Sequence, residues 1–85
     1  MGEKKNKPRS IKSVIDRIIS IIPTDFNNSK NFIMDLEKIK ESADYTAPES
    51  LFYRWQELCQ ILEYYLLKEE GEWTHTVKLI VNGEI

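Results

Sequence analysis

His75 is the one histidine among these 85 residues, and Cys59 is the one cysteine. Neither has another Cys or His at the spacing a metal centre uses, so no metal site is expected. His75 stands in "EWTHTVKLIVNGEI" with nothing nearby to make it a general base or a pH sensor, and it reads as structural. Cys59 shares the apolar face of a helix and has no neighbouring base to lower its pKa, so it reads as a small hydrophobe. The glycines are at positions 2, 71 and 83, too scattered to build a phosphate-cradling loop, and there is no nucleophile elbow. The carboxylates, including those of "KEEGE", lie at helical surface spacing. No catalytic constellation and no cofactor site emerges, and an enzyme is not expected.

The basic side chains offer a different chemistry. Up to Arg17 the chain carries six basic and two acidic residues, and beyond it six basic and twelve acidic. A basic arm therefore precedes an acidic body. Lys4, Lys5, Lys7 and Arg9 could neutralise phosphates in a salt-sensitive, sequence-independent contact with nucleic acid. The arm has no interleaved aromatic to stack on bases, and the acidic body would repel the backbone. No apolar stretch approaches the ~20 residues of a membrane span. Met1-Gly2 with downstream lysines resembles a myristoylation signal, but Asn6 stands where Ser or Thr is required. No secretory leader is evident, and a lone cysteine suits a reducing compartment. A cytoplasmic protein is expected.

The elements that position these residues follow from hydrophobic periodicity. Residues 1–9 read as a flexible basic arm, and residues 10–85 as a single domain. Ser10 should cap a helix over Ile11 to Ile22, whose isoleucines and Val14 fill one arc of roughly 160° before Pro23 ends it. A second helix from about Lys30 to Ser42 carries the stripe Phe32, Ile33, Leu36, Ile39. "TAPE" at Thr46–Glu49 matches a capping box for a third helix that runs to about Lys68, with Gly71 as a stop. From Trp73 to Asn82, apolar and polar residues alternate with many β-branched side chains, which predicts a strand. Asn82-Gly83 is a hairpin-type dipeptide. The expected fold is mainly α: a three-helix domain with a C-terminal β-strand.

The third helix has two apolar faces. Leu51, Phe52, Trp55, Leu58, Cys59, Leu62, Tyr65 and Leu66 form an arc of roughly 140° expected to face the core. Opposite it, Tyr53, Ile61, Tyr64 and Leu67 are mixed with Gln56, Gln60, Glu57, Glu63, Lys68 and Arg54. That mixture matches the composition of protein–protein interfaces. The strand could cover this face, or a partner could. A lone strand also leaves its ladder groups unpaired, which points to antiparallel pairing in a homodimer or to addition to a partner's sheet.

The function expected from these features is a small non-catalytic protein-interaction module acting as an inhibitor, adaptor or regulatory subunit. Small inhibitors of host systems encoded by phages and other mobile elements share this profile of size and class. Tyr53, Ile61, Tyr64 and Leu67 are the expected contacts with another protein. The alternative is a nucleic-acid-binding regulator that uses Lys4, Lys5, Lys7 and Arg9.

Overall fold

A computed structural model describes residues 10–84. The expected arm, with Lys4, Lys5, Lys7 and Arg9, lies outside the described residues. Four α-helices follow in order: α1 (Ile11–Ile21), α2 (Ser29–Ala43), α3 (Leu51–Leu66) and α4 (Glu72–Asn82). A single 3-10 turn, Pro48–Ser50, leads into α3.

The first two helices form where their periodicity places them. Ser10 caps α1, its hydroxyl accepting from the Ser13 amide at 3.4 Å. The chain turns extended at Ile22, and Pro23 follows. Ile15 and Ile18 are fully buried, as are Phe32 and Leu36 of α2. Two ion pairs join these helices across their solvent edge, Lys12 with Asp44 at 2.6 Å and Lys40 with Asp16. The hydrogen bond to Asp44 raises the pKa of Lys12.

The expected capping box does not form. The Thr46 hydroxyl donates backwards to the Ser42 carbonyl at 2.7 Å, finishing the exit from α2 rather than starting α3. Proline at the first position of the 3-10 turn takes up the entry to α3.

The expected C-terminal strand is a helix, and the described residues form four helices rather than three. Its sequence satisfies two templates at once. The alternation of Trp73, Val77 and Val81 with polar residues also gives the helical spacing i, i+4, i+8, and Thr74 and Ile80 fall on the same side. Thr74, Val77 and Ile80 are buried, and Trp73 and Val81 pack against the core. A helix satisfies its own backbone groups, whereas one strand without a partner cannot. The buried Thr74 hydroxyl is also satisfied, donating to the Gly71 carbonyl at 2.7 Å.

Asn82-Gly83 likewise is not a hairpin. Gly83 has φ 80°, and the amides of Gly83 and Glu84 bond the carbonyls of Ile80 and Leu79 at 3.1 and 2.9 Å. That double bond pattern closes α4 as a Schellman motif. Both devices need a left-handed residue, so the dipeptide signals the conformation without saying which one is built.

The helices pack in the order α3, α2, α1, α4: α2 lies against α3 and α1, and α1 against α4. One apolar cluster from all four fills the centre. A chain of rings runs through it, with Trp73 on Phe26 at 5.1 Å, Phe26 edge-on to Phe32 at 6.3 Å, and Phe32 stacked on Tyr65 at 4.8 Å. No comparable packing seam joins α3 to α4, and the ring of helices stays open there.

The face that α3 turns inward is rotated from the expected one. Leu58, Leu62 and Leu66 are buried as expected, but Leu51 and Trp55 are only half-buried. Phe52 and Cys59, assigned to the core, are exposed. Ile61, assigned to the outer face, is half-buried and packs against the core. At 100° per residue this is a turn of roughly 50° toward α2. The cause is that α2 is the close neighbour of α3, and Tyr65 anchors the contact by donating to Asp35 Oδ2 at 2.7 Å.

Candidate functional site

The outer face of α3 is left by this rotation as a narrow strip. Tyr53, Tyr64 and Leu67 are 51, 80 and 78% exposed. They fall within roughly 60° of one another around the helix axis. Between them lie the exposed amides Gln56 and Gln60. Charged side chains, Glu57, Glu63 and Lys68, flank the strip instead of interrupting it. A charge-poor centre bordered by charge is how protein–protein interfaces are built.

The rings of the strip rest on other rings. Tyr64 stands edge-on to Tyr65 with centroids 5.0 Å apart, and Tyr65 is fixed in turn by Phe32 and Asp35. Tyr53 lies against Phe52 with centroids 4.1 Å apart. An exposed aromatic already held in place loses little side-chain entropy when a partner covers it.

Tyr65 itself is a support. Burial, with the hydrogen bond to Asp35 and that carboxylate's charge behind it, pushes its phenol up to about 12. It stays neutral and donates at any ordinary pH.

The sequence-expected contacts thus divide. Tyr53, Tyr64 and Leu67 come together on one surface, and Ile61 does not join them. Arg54 is also drawn off the outer face, half-buried beside Glu57 with Nη2 3.2 Å from its carboxylate. His75 is exposed on α4. Among the described residues, no group of three or more His, Cys, Asp or Glu side chains is placed to hold a metal ion. No helix among them is long and apolar enough to cross a membrane.

One feature of the surface escaped the sequence reading. Where α3 and α4 pack least closely, a groove of about 440 Å³ opens, floored by Leu62 and Leu66 and bordered by Cys59, Leu67, Lys78 and Val81. Reading residues 72–82 as a helix would have pointed to it. The apolar arc of α3 is wider than two neighbouring helices cover, and the uncovered flank with Phe52 and Cys59 turns toward the α4 side.

Comparison with protein-family models, with curated proteins and with solved structures finds no match to this chain.

Proposed function

We propose that this protein is a small non-catalytic interaction module, an inhibitor, adaptor or regulatory subunit, that engages another protein through the outer strip of α3. The observation that carries this reading is the set Tyr53, Tyr64 and Leu67: three large exposed side chains on one helix face, with Tyr64 against the anchored ring of Tyr65. The mechanism is steric, with the strip covering a partner surface and the amides of Gln56 and Gln60 bonding at its centre. The homodimer expected from strand pairing loses its physical basis, because α4 satisfies its own backbone and offers no strand edge. Association with a different protein is the reading carried forward.

The competing proposal is nucleic-acid binding through Lys4, Lys5, Lys7 and Arg9. The body from Ser10 to Glu84 carries eight basic and thirteen acidic residues, which opposes it.

Affinity capture from a lysate of the source cells distinguishes the two. Wild-type protein is compared with a Tyr64→Asp/Leu67→Asp double variant and with a chain lacking residues 1–9. The outer-strip reading expects a protein retained by wild type and by the shortened chain, resistant to nuclease, and lost with the double variant. Both substituted side chains are exposed, so the variant should keep the helical circular dichroism of wild type. Retention that follows the arm and disappears with nuclease overturns this reading in favour of nucleic acid.

A further inference from the structure

We propose that the groove between α3 and α4 seats an amphipathic helix from the partner, with its apolar stripe bordered by lysine or arginine. This rests on the interaction-module reading and adds to it the place and the chemistry of docking. The groove continues the outer strip, because Leu67 belongs to both.

The first support is shape. Cys59, Leu62 and Leu66 lie at i, i+3 and i+7 along the α3 side and floor of the groove, and Val81 stands on the α4 side. A row at that spacing receives the ridge of a third helix, as helix-in-groove recognition does. The missing seam between α3 and α4 leaves room for it.

The second support is charge. Glu63 and Glu69 border the groove, and Lys78 is the one basic residue lining it. Residues 1–9 hold four basic and one acidic side chain, which leaves a net −5 on residues 10–84. A basic helix is attracted to such a body and an acidic one repelled. A second copy would bring another net −5 body against the first, and its basic residues 1–9 carry no apolar stripe to fill the groove. A nucleic-acid backbone would meet Glu63 and Glu69. A small polar ligand would find no fully buried polar group to orient it, since Gln60, Glu63, Lys78 and Asn82 are exposed and Glu69 is half-buried.

The test uses two model helical peptides of about 16 residues, roughly the length of α3. One is built of leucine and lysine, the other of leucine and glutamate in the same pattern. Each is titrated into the isotopically labelled full chain, and amide shifts are followed by NMR. The expected result is saturable binding of the leucine–lysine peptide, with the largest shifts at Cys59, Leu62, Leu66 and Val81. Affinity should be at least about ten-fold weaker for the glutamate peptide, and about ten-fold weaker for the lysine peptide on a Cys59→Lys/Leu67→Lys variant. Both substituted residues are exposed, and circular dichroism confirms that the variant is folded.

Absence of binding overturns the proposal, and so does equal affinity for the two peptides. Shifts centred on Tyr53 and Tyr64 that spare the groove overturn the docking site and leave the interaction-module reading standing. Shifts at groove residues on concentrating the protein alone would make a second copy the occupant and also overturn it. The capture comparison above tests the interaction module separately, because its variant can lose a partner whatever the peptides do.

Discussion

Ile61 and Leu67 are six residues apart on α3, and the sequence places both on one outer face. The structure separates them. Ile61 packs against the core, whereas Leu67 is 78% exposed. Truncating a fully buried isoleucine to alanine costs about 2–5 kcal/mol. Half-buried, Ile61 should lose about half of that, and the better helix propensity of alanine returns a few tenths. The net expectation for Ile61→Ala is about 1.5 kcal/mol, a drop in Tm of roughly 6–12 °C for a domain of this size. Leu67→Ala removes only the covered fifth of a leucine, so it should stay within about 0.5 kcal/mol of wild type. Urea unfolding followed by far-UV circular dichroism gives both values, provided that the m-value is unchanged. Equally small costs would show that α3 turns the face predicted by its sequence toward the core, and a larger cost at Leu67 would show that it turns the opposite way. The first result would misplace the groove, and the second would misplace the strip as well.

Tyr65→Phe removes the donor to Asp35 while keeping the ring stack on Phe32, and should cost about 1–2 kcal/mol at neutral pH. The folded phenol is raised from its ordinary 10 to about 12, so its stabilising contribution is complete below pH 10 and lost as pH rises toward 12. The gap between wild type and the variant in urea midpoint should therefore narrow over that window. His75→Ala, at an exposed position of α4, should stabilise the fold by about 0.3–0.6 kcal/mol through helix propensity, read as a small rise in Tm. In a strand the same change would lower it.

Most of the fold was legible because α1 and α2 each satisfy a single template. Their stripes of isoleucine, leucine and Phe32 have one helical phase, and Pro23 and Ser10 mark the ends. α4 was misread because Trp73, Val77 and Val81 are compatible with both periods, and its β-branched residues favoured the strand. Tertiary context decided it, since only the helix satisfies the backbone alone and lays Val77 and Ile80 onto the core. The phase of α3 was misjudged by roughly half a residue step for a related reason. Its apolar arc is wider than the surface its neighbours bury, and nothing in the sequence says which flank meets α2. The contact between Tyr65 and Asp35 sets that flank. Tyr53, Tyr64 and Leu67 could be placed together from helical periodicity, because they lie opposite any plausible core. The groove could not, because it depends on how closely α3 and α4 pack.

The central claim is that a partner protein covers the outer strip of α3, and site-specific photo-crosslinking in the source cells tests it most directly. A photoreactive phenylalanine analogue placed at Tyr64 should give a discrete protein adduct. The same analogue at the exposed Asn31 of α2 should give none. An adduct of equal yield from both positions, or a nucleic-acid adduct from position 64, would contradict the claim.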